Sequence, residues 1–187
     1  MKLPKIYEAK SYEASIYKLW EDSGAFQPSA KGKPFSIVLP PPNATGKLHV
    51  GHAAMLAIED TIVRYQRMNG ASVLWVPGTD HAAIATNAIM EKRLSAEGTS
   101  KHDIGREAFL ERMHEFIGDS QGDIRSQMRA MGASLDWTRE RYTMEPAMNR
   151  IVGEVFKMMH TDGLIYRGHR IVNWDRILQT TVSDDEI

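Results

Sequence analysis

A short apolar run, Phe35-Ser36-Ile37-Val38-Leu39, leads into three consecutive prolines and then into a helical pattern, with two histidines at the joint. The connecting segment reads Pro40-Pro41-Pro42-Asn43-Ala44-Thr45-Gly46-Lys47-Leu48-His49-Val50-Gly51-His52, and Ala53-Ala54-Met55-Leu56-Ala57-Ile58 follows it. No other stretch narrows the fold as much. Strand, rigid turn and helix in that order aim a helix N-terminus at one point, where free backbone N–H groups and the helix dipole favour an anion. Residues three apart on a helical turn share a face, so both imidazoles project to the same side. Gly51 removes a side chain between them and lets a flat ligand approach the backbone. With Thr45, Gly46 and the proline-rich strand exit around it, the H-x-G-H pattern points to a nucleotide polyphosphate.

The helix after the motif should run to Asn69-Gly70, a good left-handed stop. Ala71-Ser72-Val73-Leu74-Trp75-Val76 then reads as a second buried strand, closed by Pro77-Gly78. Strand, helix and strand at this spacing make a βαβ unit with parallel strands and a right-handed crossover. The expected fold class is therefore α/β, a Rossmann-like parallel sheet preceded by an amino-terminal helical segment. That segment, residues 10–23, places Tyr12, Ile16, Leu19 and Trp20 near one face. Further helices are predicted over 82–94, opened by Thr79-Asp80, over 107–131, and over 145–160. The second carries Leu110, Met113, Ile117, Ile124, Met128 and Met131 at helical spacing and is expected to bend near Gly118 to Gly122. The third turns Ile151, Val152, Val155, Phe156 and Met159 inward, and 164–166 and 170–174 read as β-like. The domain organisation expected is a helical segment over 1–34, the first half of a nucleotide-binding domain over 35–131, and a connective region over 132–187.

Composition sets outer bounds. The 187 residues carry a net charge of −1, which argues against a wholly basic nucleic-acid-binding domain. There is no cysteine, so disulfides and thiolate-bound zinc are excluded. No apolar run approaches membrane-spanning length, and Met1-Lys2-Leu3-Pro4-Lys5 lacks the pattern of a signal peptide, so a cytoplasmic location is the expectation. His81, His102, His114, His160 and His169 have no metal-ligand spacing.

Each candidate residue has a plainer alternative. Two imidazoles at a helix start can donate hydrogen bonds to phosphate oxygens whose charge grows during phosphoryl or adenylyl displacement, or they can be surface residues of an amphipathic helix. Asp80, at the carboxyl edge of the second strand, sits where open α/β sheets bind ligands. It could pair with a ligand ammonium, and either it or Thr79 could instead cap the next helix. Pro40, Pro41 and Pro42 offer a stiff backbone poor in donors, suited to a small apolar group or simply to a rigid loop. Lys47 reads as a solvated lysine. Asp136-Trp137-Thr138-Arg139-Glu140-Arg141 reads as a packed loop with surface ions.

At these residues the chain resembles the class I aminoacyl-tRNA synthetases, and within them the valine branch. Residues 40–52 match the pattern P-P-P-N-x-T-G-x-L-H-x-G-H. Pro77-Gly78-Thr79-Asp80-His81-Ala82-Ala83-Ile84-Ala85-Thr86 is similar to P-G-T-D-H-A-G-I-A-T, and Thr79 and His81 separate this branch from the G-W-D pattern of the isoleucine and leucine enzymes. Gly132-Ala133-Ser134-Leu135-Asp136-Trp137-Thr138-Arg139-Glu140 resembles G-A-S-x-D-W-S-R-E.

The resemblance implies that Thr45, Gly46, His49, Gly51 and His52 bind ATP, with His49 and His52 catalytic. It implies that Pro40, Pro41, Pro42, Asn43 and Asp80 bind the amino acid, Asp80 through the α-ammonium. The implied partners are valine, ATP with Mg2+, and tRNA(Val), without a membrane. Ala83 replaces a usual glycine and Asn87 stands where glutamine is common. Asn173-Trp174-Asp175-Arg176-Ile177-Leu178 falls where some relatives hold zinc through C-P-x-C, so a zinc-free version is implied. The likeness stops where an editing insertion would begin, at residues 181–186, and the K-M-S-K-S signature is absent, as for the amino-terminal piece of a longer enzyme. Two other classes compete with a catalytic fragment. One is a small H-x-G-H nucleotidyltransferase, against which Val38-Leu39-Pro40-Pro41 stands in place of G-x-F-D. The other is a non-catalytic subunit that complements a separate carboxy-terminal half.

Overall fold

The computed structural model describes residues 5–177 and 179–184. The chain divides into two compact units, Met1–Met148 and Asn149–Ile187. In the first unit, α1 (Ala9–Asp22) precedes β1 (Pro34–Ser36), α2 (Val50–Met68) and β2 (Ser72–Leu74). Next come β3 (Gly78–Thr79), α3 (Ala83–Ala96), α4 (Lys101–Ala130), a 3-10 turn (Trp137–Arg139) and β4 (Arg141–Tyr142).

The βαβ unit forms as expected: β1 and β2 are parallel, with Pro34 opposite Ser72 and Ser36 opposite Leu74. Asn69 caps α2, and Gly70 takes φ 79°, the left-handed stop that lets the chain turn straight into β2. The strands are much shorter than the apolar runs. Regular pairing of the first stops at Ser36, three residues short of Pro40–Pro42, which have no N–H with which to resume a ladder. The second changes partner instead. Beyond Leu74, the Trp75 carbonyl accepts from the Asp136 amide at 2.9 Å and the Pro77 carbonyl from the Arg141 amide at 3.0 Å, and β3 then pairs with β4 in parallel. The sheet structure of this unit is thus a set of small parallel pairs.

Two apolar clusters hold this unit. Leu39, Leu56, Val63, Val73, Trp75, Ile124, Met128, Ala133 and Leu135 form the first, between the β1–β2 pair, α2 and α4. Ala44, Met90, Leu94, Met113, Phe116 and Ile117 form the second, where α3 packs on α4. Each fully buried aliphatic side chain here contributes about 1.5–3 kcal/mol. The Trp75 indole N–H, with no exposed surface, is satisfied by Glu59 Oε2 at 3.2 Å.

Several sequence expectations are corrected. Residues from Gly132 onward do not stand apart as a connective region: Ala133 and Leu135 complete the first cluster, and the compact unit closes at Met148. The amino-terminal segment is equally part of this unit. Its inward residue is Tyr17, not Tyr12, Ile16, Leu19 or Trp20, all of which are exposed. The Tyr17 hydroxyl donates to the Ala133 carbonyl at 2.7 Å, and Glu21 pairs with Arg129 at 2.9 Å. In α4 the irregularity lies at Gly105 (φ 79°, ψ 168°), while the helix runs unbroken through Gly118 and Gly122, whose missing side chains face open space. Leu110 and Met131 are exposed, and Phe116 and Ser120 are buried in their stead.

The second unit takes most of α5 (Pro146–Thr161) and an antiparallel hairpin of β5 (Asn173–Asp175) with β6 (Thr180–Val182). No residue of α5 is buried, so Ile151, Val152, Val155, Phe156 and Met159 do not turn into a core. The β-like stretch 164–166 is irregular, and of 170–174 only the last two residues enter a strand. Leu178, Asp185, Glu186 and Ile187 lie outside the described residues, as do the first four. Among the described residues no helix is long and apolar enough to cross a membrane.

Candidate active site

Because β1 and β2 are parallel, the chain leaves both on the same side, and the two exits are tied together. The Ala44 amide donates to the Asp80 carbonyl at 2.7 Å and the Asp80 amide to the Pro42 carbonyl at 2.8 Å, a parallel bridge centred on Asn43 and Asp80. Of the prolines, Pro42 is buried and Pro40 and Pro41 are exposed. An open apolar groove of about 400 Å³ lies beside them, with Leu39, Pro41, Val76, Thr79, Tyr142 and Thr143 in its wall. Thr45 and Gly46 are half-buried in the loop beyond the bridge, Lys47 is exposed, and the Leu48 amide is held by Gln127 Oε1 of α4 at 2.8 Å.

The loop ends in an unusual helix cap. His49 is the N-cap of α2: its Nδ1 accepts from the Gly51 amide at 3.0 Å, and its own amide donates to His52 Nδ1 at 3.3 Å. The two rings lie 3.9 Å apart between centroids, tilted by 43°. Both Nδ1 atoms act as acceptors, so each neutral ring carries its proton on Nε2 and has one donor left over. Burial, and after it the neighbouring His49 ring, lowers the His52 pKa from its ordinary value and favours this neutral form. The arrangement sets two N–H donors at the positive end of a 19-residue helix, and an anion is what such a place binds. Gly51 serves the cap directly: a Cβ there would come within 2.8 Å of His49 Cε1.

Asp80 does not cap the helix that follows it, and neither does Thr79. The N-cap of α3 is Ala82, at φ 45°, with no side-chain cap at all. Asp80 Oδ1 instead accepts from the Thr143 hydroxyl at 2.9 Å and lies 3.4 Å from His81 Nδ1, and Thr79 Oγ1 accepts from Gln121 Nε2 at 2.9 Å. The carboxylate remains about a third exposed, open to a cationic partner. Beside it, burial and the Asp80 charge raise the Tyr142 pKa and keep that phenol protonated.

These features can be set against known proteins. The family model for class I tRNA synthetases of the isoleucine, leucine, methionine and valine group matches residues 15–187. The chain belongs to this family. A valine–tRNA ligase of Acinetobacter baylyi is 49% identical over 181 residues, covering 97% of this chain and 19% of that protein. The Chlamydia trachomatis valine–tRNA ligase is 50% identical over 187 residues, covering 98% and 20%. The chain therefore spans about a fifth of the length of such relatives. Among solved structures it is similar to the LeuRS of Agrobacterium radiobacter, crystallised as a ternary complex with tRNA and LeuAMS. The TM-score is 0.77 at 25% identity, over 96% of this chain and 22% of that one.

Sequence reasoning missed the residues that hold the loops of this site. Gln121, Gln127 and Thr143 come from remote parts of the chain, and no local pattern marks a glutamine or threonine as a brace. His81, which lacks metal-ligand spacing, shares the Thr143 hydroxyl with Asp80. Of the departures from the valine-branch pattern, Ala83 opens α3 and Asn87 bonds back to the Ala83 carbonyl at 2.7 Å on an exposed face. Asp136 is the packed loop residue expected, accepting from Thr138 and Arg139. Among the described residues no cluster of three or more histidine, aspartate or glutamate side chains could hold a metal ion.

Proposed function

We propose that this chain is the amino-terminal catalytic part of a valine–tRNA ligase, and that its β1–α2–β2 unit is half of a Rossmann-like nucleotide-binding domain. The phosphates of ATP lie against the start of α2, where His49 and His52 each donate from Nε2 to phosphate oxygens, beside Thr45, Gly46 and the bare backbone at Gly51. Valine lies across the loop, its ammonium on the Asp80 carboxylate and its isopropyl group toward Pro40, Pro41, Pro42 and Asn43. A carboxylate oxygen of valine attacks the α-phosphorus, the bond to the β-phosphate bridging oxygen breaks, and pyrophosphate leaves with the electron pair. The acyl group of valyl-adenylate then passes to a hydroxyl oxygen of tRNA(Val), which gives up its proton, and AMP leaves as the acyl–phosphate bond breaks. Mg2+ would arrive on the nucleotide. No covalent enzyme intermediate is required, and the chain's part is positioning and stabilisation of developing charge. The reading also carries a cytoplasmic, zinc-free enzyme that works with a carboxy-terminal half.

The observation that carries this reading is the reciprocal cap of His49 and His52, which leaves both Nε2 donors for an anion on the loop that also grips Asp80. The test is ATP–pyrophosphate exchange with valine, by the chain alone and mixed with the carboxy-terminal remainder of a homologous valine–tRNA ligase. Valine-dependent exchange by the chain alone is expected, and exchange that appears only on mixing would favour a non-catalytic subunit that complements a separate half. Exchange that needs a non-amino-acid substrate would favour a small nucleotidyltransferase, and failure to bind ATP or valine in equilibrium dialysis would refute the proposal.

A further inference from the structure

We infer that Thr143 is a positioning residue for amine recognition: its single hydroxyl proton fixes the Asp80 carboxylate and locks His81 with its proton on Nδ1, leaving His81 Nε2 as a second acceptor. This rests on the reading of Asp80 as an ammonium-binding group.

Proton counting carries the argument. A threonine hydroxyl has one proton to give and two lone pairs to offer. An ionised carboxylate only accepts, so the proton of Thr143 goes to Asp80 Oδ1, 2.9 Å away. One lone pair receives the backbone N–H of His81 at 2.9 Å. The His81 Nδ1 contact must then be a donation from the ring to the other lone pair. The same conclusion follows from the carboxylate, because Nδ1 lies 3.4 Å from Asp80 Oδ1 and a lone pair there would face two acceptors. His81 therefore has the opposite tautomer from His49 and His52. Those two present donors, as an anion requires, and His81 presents an acceptor beside a carboxylate, as a primary ammonium requires.

The hydroxyl is not needed to hold the loop. The Thr143 amide donates to the Thr79 carbonyl at 3.2 Å and the Arg141 amide to the Pro77 carbonyl at 3.0 Å, so the backbone stays fastened without it. Thr143→Val should keep the fold and lose the proton relay together with the acceptor for the His81 amide, and Thr143→Ser should keep all three.

The full chain, labelled with 15N at histidine, is the sample. Long-range proton–nitrogen spectra above the imidazole titration should report His81 protonated on Nδ1 in the wild type and in Thr143→Ser. In Thr143→Val only the 3.4 Å contact with Asp80 Oδ1 still favours that tautomer, so a share of the Nε2–H form should become detectable. A wild-type His81 protonated on Nε2 overturns the proposal, whatever the variants do. Calorimetric titration with L-valine should then show Thr143→Val binding about tenfold or more weaker than wild type and Thr143→Ser, the size of one hydrogen bond to a charged group. Isovalerate, which lacks the amine, should bind all three chains alike. Equal valine affinity in wild type and Thr143→Val overturns the positioning role. Absence of valine binding by the wild type, with the tautomers as expected, upholds the relay and instead refutes the ammonium reading of Asp80.

Discussion

Two helices of this chain open with the same reciprocal cap built from different chemistry. At α4, Ser100 is the N-cap and Asp103 the third helical residue: the Ser100 amide donates to Asp103 Oδ2 at 2.9 Å and the Asp103 amide to Ser100 Oγ at 3.3 Å. At α2, His49 and His52 occupy the same two positions, and ring nitrogens replace the hydroxyl and the carboxylate. Serine and aspartate are the better caps, and the acidic member also complements the helix dipole. The α4 version spends its polar atoms on the backbone and keeps a negative charge at the helix start. The α2 version leaves the dipole uncompensated and has two N–H groups to spare. A helix start of the second kind is a weaker structural joint and a better seat for an anion.

The sharpest way to break this comparison is to make α2 start as α4 does. His49→Ser combined with His52→Asp should keep the chain as stable as before to within about 1 kcal/mol in chemical denaturation. Valine-dependent pyrophosphate exchange should fall by roughly a hundredfold or more, the scale seen when one preorganised donor is removed. Unchanged exchange would reduce the two histidines to an ordinary cap. A smaller loss is expected from Gly51→Ala. Its Cβ would displace the His49 ring, so nucleotide affinity should drop about tenfold with stability little altered, since alanine favours the helix.

Smallest of the three is a pH effect. The folded-state pKa of His52 is lowered below its ordinary 6.5, so the folded chain prefers the neutral ring. Between the lowered pKa and 6.5 the unfolded chain binds more protons, and stability rises with pH. The contribution is fully present above about pH 6.5 and is lost as pH falls through the folded pKa. Denaturation curves compared above and below that window should show a wild-type loss on acidification that His52→Asn lacks. An equal loss in both chains would assign the effect to other groups.

What could be read from the residues depended on whether the physics was local. The strand-to-helix order, the parallel pairing of β1 with β2 and the end of α2 at Asn69-Gly70 follow from periodicity and turn chemistry within a few residues. The bend in α4 was misplaced because a glycine in a helix is ambiguous. Gly118 and Gly122 sit in an intact stretch, and Gly105 breaks the regular dihedrals just after the Ser100–Asp103 cap. The inward residue of α1 was missed because Tyr17 is buried for its hydroxyl's partner, the Ala133 carbonyl, far away in the chain. The alternatives for Asp80 stayed even for the same reason: only Thr143 and the cap at Ala82 decide against an N-cap, and neither announces itself in the neighbouring sequence. The Asp80–Asn43 bridge and the donors left on His49 and His52 are geometry that motif spacing suggests without supplying.

One helix meters the distance between the two loops of the candidate site. Gln127 of α4 holds the loop that ends in His49, and Gln121 of the same helix holds Thr79, next to Asp80. Six residues of helical rise set these two amides about 9 Å apart along the axis. Adding or deleting a single residue between them would swing one amide by about 100° and release its loop. The gap between the His49 loop and the Asp80 loop is thus written in whole residues, and it can lengthen or shorten only in steps that α4 cannot make without letting go of one loop.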